Sequence, residues 1–152
     1  PGAPHVLVGD TLAAEALRSS GELLLVFHAP YGFDAANSTL HRLAKLLLPL
    51  GEAVRVATFD SMANAFEPTA FPGVDKYHAE PIVVHVSGTP RTQRRYKGKL
   101  LLKPLLGYLR KHSAAVRGGW PAVKAALDAD NSERLAAKAA AAAAAAREAE
   151  EL

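Results

Sequence analysis

The stretch that decides the fold is Leu25-Val26-Phe27-His28-Ala29-Pro30-Tyr31-Gly32-Phe33-Asp34-Ala35. Its first part belongs to an almost unbroken apolar run from Glu22 to His28, which predicts a central strand covered on both faces. After the Ala-Pro-Tyr-Gly turn, leucines recur at helical spacing from about Phe33 to Leu50. The stretch therefore predicts a buried strand that leads directly into a long helix.

The same patterns predict further elements on both sides of this unit. Strands are predicted over 5–8, 53–59, 82–86 and 92–96, and helices from Asp10 or Thr11 and over 100–112. Strand–helix alternation that ends in two adjacent strands is typical of an α/β fold with a central mixed sheet and flanking helices.

The composition changes after Ser113. Gly118-Gly119 predicts a hinge, 120–129 a short helix, and Asn131-Ser132 the cap of a final helix with eight consecutive alanines. We therefore expect a domain over 1–113 and a C-terminal, Ala-rich helical extension or tail over 114–152. A low-complexity linker and a partner-binding helix remain alternatives for the alanine tract.

The length, composition and charge of the chain indicate a globular protein without a membrane-spanning helix. The 152 residues are 49% hydrophobic and carry a formal charge of +3, which suits one globular domain with an additional segment. No run approaches the roughly 20 apolar residues of a membrane-spanning helix. The chain opens at Pro1 without a leader, so we expect it to be a piece of a longer protein with possible neighbouring domains.

Three separated motifs carry a resemblance to a known family. They are Val26-Phe27-His28-Ala29-Pro30-Tyr31, Phe59-Asp60-Ser61-Met62-Ala63-Asn64 and Tyr96-Lys97-Gly98. In this order and spacing they resemble the redox-type domain of protein disulfide isomerases, from about Val6 to His112. The resemblance implies a thioredoxin-like fold in which a Cys-x-x-Cys motif follows the central strand.

The four positions of that motif hold Gly32, Phe33, Asp34 and Ala35, and the chain contains no cysteine. Disulfide exchange needs a nucleophilic thiolate and a second thiol that resolves the mixed disulfide. Gly32 and Ala35 stand where the two thiols are expected, so we expect a redox-inactive domain that is not an enzyme.

The resemblance also implies the loss of groups that support the thiols. Val26 occupies the position of a buried Glu, and Thr58 the position of its buried Lys partner. Leu100 lies near the position of an Arg that assists thiolate formation, although a one-residue slip would place Lys99 there. Loss of the Glu and Lys together is coherent, because a lone buried charge is destabilising.

A binding role remains for this face. The resemblance places Pro81 at the family's cis-proline, where the preceding residue, here Glu80, offers its backbone to an extended substrate. We expect Tyr31, Phe33, Glu80 and Pro81 to contact unfolded peptide or a partner protein, in a chaperone-like or scaffold role. The alternative is a structural subunit or docking domain of a large multiprotein assembly.

Other candidate sites are weaker. Asn37 opens an N-glycosylation sequon, and a basic run from Arg91 to Lys111 suits a solvated face better than a nucleic-acid groove. An acid–base site of Asp34 with His28 or His41 is not favoured, and the histidines lack metal-ligand spacing. We expect no metal and no cofactor.

The last four residues, 149–152, faintly resemble a lumenal retention signal. This favours the endoplasmic reticulum lumen, with a cytoplasmic or organellar assembly as the alternative.

Overall fold

The structure, a computed structural model, describes residues 2–18, 20–67, 69–75 and 77–152, so Pro1, where the predicted domain begins, lies outside them. Its strands are β1 (His5–Leu7), β2 (Glu22–His28), β3 (Val54–Asp60), β4 (Ile82–Ser87) and β5 (Thr92–Tyr96). Its α-helices are α1 (Gly9–Ala13), α2 (Asp34–Leu47), α3 (Leu102–His112), α4 (Ala114–Gly118) and α5 (Trp120–Glu151). A π-helical turn (Ala14–Arg18) follows α1, and a 3₁₀ segment (Leu48–Ala53) follows α2.

The strands form one mixed sheet in the order β1-β3-β2-β4-β5. β2 lies at its centre, parallel to β3 and antiparallel to β4. β1 extends the parallel half and β5 the antiparallel half. This confirms the predicted central mixed sheet with flanking helices.

Both faces of the sheet are covered, and β2 sends alternate side chains to each. Leu24 and Val26 point to a core that includes the buried faces of α2 and α3. Leu23, Leu25 and Phe27 point to a second core that includes residues from α1 and from the segment after β3. The continuous apolar run is therefore explained by two-sided burial.

The predicted break at Asn131-Ser132 is wrong, because α5 runs without interruption from Trp120 to Glu151. The polar side chains at this point are used in tertiary contacts. Arg42 Nε donates to Asp130 Oδ2 at 2.6 Å, and Arg42 Nη2 donates to Asn131 Oδ1 at 3.0 Å. Asn131 therefore ties α5 to α2 and does not cap a new helix.

Only the outer part of the C-terminal extension behaves as a tail. Val116 and Val123 are fully buried in the core beneath α2 and α3, and Trp120 and Leu127 pack against the same core. From Asn131 onward every residue is exposed. The residues 114–130, predicted as part of a tail, therefore complete the fold, and a solvated helix projects from it.

The cis-proline is not where the family resemblance places it. The cis peptide bond among the described residues joins Thr89 to Pro90, in the turn between β4 and β5. Pro81 directly precedes β4 with a trans bond, so the predicted cis Glu80–Pro81 bond is wrong. A trans proline is accommodated here because its missing N–H falls just before the first residue of a strand.

Candidate functional site

The candidate site lies at the edge of the sheet where β2 and β3 end. His28 and Asp60, the last residues of these parallel strands, are register partners. β4 runs in the opposite direction, so Pro81 enters the sheet at the same edge. The loop 29–33, the turn after Asp60 and the segment before β4 thus meet there. This edge is where open α/β sheets commonly bind ligands.

The loop between β2 and α2 differs from a thiol site in its backbone. Gly32 has a φ of +68°, which is left-handed and unfavourable for a cysteine or any other side chain with a Cβ. Asp34 is exposed in the first turn of α2, where its negative charge suits the helix dipole. Gly32 stands at the position where the family resemblance implies the first thiol. Its backbone conformation favours glycine.

Phe33 lies inside the molecule and not on the proposed peptide-binding face. Its side chain is 9% exposed and belongs to the core beneath α2. Its ring stacks on His28, with centroids 3.8 Å apart and planes 4° from parallel. Phe33 thus closes the start of α2 over the end of β2, and its expected direct contact with peptide is not available in this conformation.

Two tyrosines form the exposed apolar part of this edge. The side chains of Tyr31 and Tyr77 are 71% and 73% exposed. With Met62, His78 and Ala79 they line an open groove of about 330 Å³. Sequence reasoning identified Tyr31 and missed Tyr77, although an aromatic residue just before the Pro81 segment was an available signal.

A hydrogen-bonded chain holds the segment before β4 in place. His78 Nδ1 donates to the Glu80 carbonyl oxygen at 2.7 Å, and its Nε2 is hydrogen-bonded to Ser61 Oγ at 2.8 Å. Ser61 Oγ also donates to the His28 carbonyl oxygen at 3.3 Å. Ser61 is fully buried, so substrate cannot reach its hydroxyl as a nucleophile. The Glu80 carbonyl, expected to serve an extended substrate, already accepts an internal hydrogen bond.

The two positions at which the family resemblance implies buried charges hold uncharged side chains. Val26 and Thr58 are register partners across β2 and β3, and both are buried. Leu100 is half-buried and Lys99 is exposed. In the described part of the chain, no hydrogen bond joins Asp34 to His28 or His41.

The Tyr96-Lys97-Gly98 segment is held by a close packing contact and a hydrogen bond. Tyr96 Oη donates to the Lys99 carbonyl oxygen at 2.5 Å, and the ring lies over Gly98. A Cβ on Gly98 would come within 2.7 Å of Tyr96 Cζ, closer than real contacts allow. The motif therefore stabilises the turn into α3.

The other predicted surface sites are dispersed. Asn37 lies in the second turn of α2 and is half-buried, and glycosylation there stays a prediction. In the basic run, Arg91 donates to the carbonyl oxygens of Ala16 and Gly21, and Arg95 donates to that of Gly73. These arginines thus serve the fold, and the run is not one continuous basic groove.

Sequence reasoning missed a buried polar cluster at the opposite end of β2. Glu22 accepts from His85 Nε2 at 2.8 Å, from Ser113 Oγ at 2.8 Å and from the Ala115 N–H at 2.9 Å. Burial by itself would raise the pKa of Glu22, but these hydrogen bonds outweigh it and hold the pKa below its ordinary value. The cluster joins the sheet to the start of α4.

Two properties concern the described residues only. No group of three His, Cys, Asp or Glu side chains in this part of the chain lies close enough to hold a metal ion. None of its helices combines the length and hydropathy that a membrane crossing requires.

Comparison with known proteins identifies the architecture. No family model and no curated protein matches the sequence. Solved structures do match: human ERp44 in a zinc-bound form aligns with a TM-score of 0.54 and 17% identity, over 74% of this chain and 30% of that chain. The Trx4 domain of ERdj5 aligns with a TM-score of 0.50 and 15% identity, over 73% of this chain and 96% of that domain. The fold is thioredoxin-like.

These matches support the resemblance in part, since the neighbours are thioredoxin domains of the protein disulfide isomerase family. At such low identity the likeness shows the fold alone. Full-length ERdj5 aligns with a TM-score of 0.51 and 15% identity, and this thioredoxin-like chain spans 16% of its length.

Proposed function

We propose that this chain is a redox-inactive thioredoxin-like module that binds unfolded peptide or a partner protein non-covalently. The observation that carries the proposal is the pair of exposed tyrosines, Tyr31 and Tyr77, which line one open groove, and Tyr31 directly precedes Gly32 in the chain. Aromatic side chains provide large apolar contact area with little loss of conformational entropy, and tyrosine is enriched at binding hot spots. Neither Gly32 nor Ala35 supplies a nucleophile.

The proposed surface differs from the one that the sequence predicts. Tyr31 keeps its role, Tyr77 joins it, and Phe33 supports the site from within by stacking on His28. Glu80 and Pro81 follow His78 and Ala79, which line the groove, and His78 holds this segment in place through the Glu80 carbonyl oxygen. We place the module in the lumen of the endoplasmic reticulum, which its structural neighbours favour weakly.

The test is the binding of a fluorescein-labelled, reduced and alkylated unfolded protein, measured by fluorescence anisotropy. The probe has no free thiol, so any binding is non-covalent. We expect the double variant Tyr31→Ala/Tyr77→Ala to bind about tenfold more weakly, a change of roughly 1.4 kcal/mol. Leu135→Ala is the matched control, because Leu135 is 69% exposed on α5, far along the chain from the groove. Equal affinities of wild type and the double variant would remove the tyrosines from the proposal.

A second candidate function is that of a structural subunit of an assembly. The observation that favours it is the exposed part of α5, which extends about 30 Å beyond Asn131 at 1.5 Å per residue. An alanine-rich helix without a buried face gains stability from a partner. If this candidate is correct, removal of 132–152 abolishes association with the partner and leaves peptide binding unchanged.

A further inference from the structure

A second groove lies away from the tyrosine edge, between α2, α3 and α5. It encloses about 560 Å³, and its apolar lining comes from Leu102, Leu106, Trp120 and Leu127. Gly107 lies among them on α3, and a Cβ at this position would meet nothing within 4 Å. The missing side chain leaves open space next to the apolar lining. The volume is within the range of about 300–1,000 Å³ that is typical of sites for small organic ligands.

The rim of this groove is positively charged. Lys103 and Arg110 border it from α3, seven residues or about 10.5 Å apart along the helix. The Arg110 guanidinium lies 4.5 Å from the centroid of the Trp120 ring. Arg42 borders it from α2, but its charge is balanced by Asp130 at 2.6 Å.

Lys103 and Arg110 are not balanced in this way. The sequence has no acidic residue between Glu80 and Asp128. Among the ion pairs of the described residues, none includes Lys103 or Arg110. The groove therefore combines an apolar floor with an uncompensated positive rim.

We propose that this groove binds a small organic anion, a free carboxylate on an aliphatic or aromatic body. The apolar body lies on the leucines and fills the space above Gly107, and the carboxylate lies near Lys103 or Arg110. Burial of the body contributes about 25 cal/mol per Å² of apolar surface, and the cations favour the anionic head. A cationic ligand of the same length is stabilised by burial of its apolar body, but its head group is repelled by Lys103 and Arg110.

Trp120 gives a direct readout, because it is the only tryptophan of the chain and it borders the groove. The experiment is titration of the full chain with decanoate below its micelle concentration, followed by tryptophan fluorescence. Decyltrimethylammonium, which has the same chain length and the opposite charge, is the matched ligand. We expect saturable binding of decanoate and at least about fivefold weaker binding of the cation.

Two variants locate the site. Gly107→Leu fills the open space and should weaken decanoate binding at least about tenfold, whereas Lys103→Gln should weaken it about threefold to fivefold. Lys97→Gln, an exposed charge outside the groove, is the control and should leave the affinity unchanged. Circular dichroism checks the fold of Gly107→Leu, and Lys103→Gln keeps the test valid if that variant fails to fold.

Three results would overturn the proposal. They are equal affinity for the two ligands, unchanged affinity in both groove variants, and a Trp120 signal that follows protein concentration and not decanoate. The last result would indicate a second copy of the chain in the groove.

Discussion

A single partly buried carboxylate, that of Glu22, joins the sheet to the C-terminal helices. Glu22 receives hydrogen bonds from His85 on β4, from Ser113 and from the backbone of Ala115 at the start of α4. Replacement by Gln keeps the shape but removes the charge and one acceptor. We expect Glu22→Gln to lower the free energy of unfolding at pH 7 by about 1–3 kcal/mol, as measured by urea denaturation.

The pH dependence of the same variant has a defined sign. The pKa of Glu22 in the folded protein is lowered from its ordinary value of 4.5, so its stabilising contribution is present above that pH. The contribution is lost as the pH falls through the lower folded-state pKa. Wild type should therefore lose stability below about pH 4.5 more steeply than Glu22→Gln does.

Glu52→Gln is the control for this prediction, because the Glu52 side chain is 89% exposed and lies 3.6 Å from Arg55. Its free energy of unfolding should change by less than about 0.5 kcal/mol. If both variants lose the same stability, Glu22 has no special role in joining the sheet to α4.

At the residue scale, the sequence predicted the burial of β2 and the lack of a thiol, but it did not predict which side chains contact each other. The continuous apolar run of β2 is visible in the sequence, and so is the absence of a thiol at Gly32 and Ala35. The burial of Phe33 and the partners of Glu22 are not. Glu22 and Ser113 are 91 residues apart in the chain, and no local pattern reports such a pairing.

At the scale of elements, α5 has two parts with different roles. Its first part, from Trp120 to Asp130, buries Val123 in the core and reaches Arg42 through Asp130. Its second part is exposed along its whole length. The continuous helix was not predicted, because Asn131-Ser132 is locally typical of a helix start. Only the long-range contact of Asn131 with Arg42 explains why this pair lies inside a helix.

Two truncations separate these parts. The chain 1–131 should unfold cooperatively with a free energy within about 0.5 kcal/mol of the full chain, because it loses no buried side chain. The chain 1–113 should lose several kcal/mol or fail to fold, since it lacks the buried Val116 and Val123, each worth about 1.5–3 kcal/mol.

Thermal unfolding followed by circular dichroism measures both truncations, with 1–131 as the matched control for 1–113. A stable, cooperatively folded 1–113 would show instead that the thioredoxin-like unit ends at the predicted boundary after residue 113.

At the scale of the whole molecule, the predicted fold class was correct because it depends on patterns that extend over many residues. β2, β3 and β4 are mostly apolar runs, and α2 and α3 follow the leucine spacing. The Pro81 turn was predicted from the family resemblance and differs in its bond geometry. A fold can thus keep its sheet and helices while the loops at its functional edge change.

The loops at this edge support the proposal of a redox-inactive binding module. Gly32 has a left-handed backbone, Phe33 covers the end of β2, and Val26 and Thr58 pack where the family resemblance implies charges. The exposed Tyr31 and Tyr77 are the side chains that we propose for non-covalent contact.

The most direct test of this account is insulin reduction in the presence of glutathione, followed by turbidity. We predict that the chain leaves the rate at the glutathione background, because it has no thiol to form a mixed disulfide. A rate above that background, proportional to the concentration of the chain, would contradict the account.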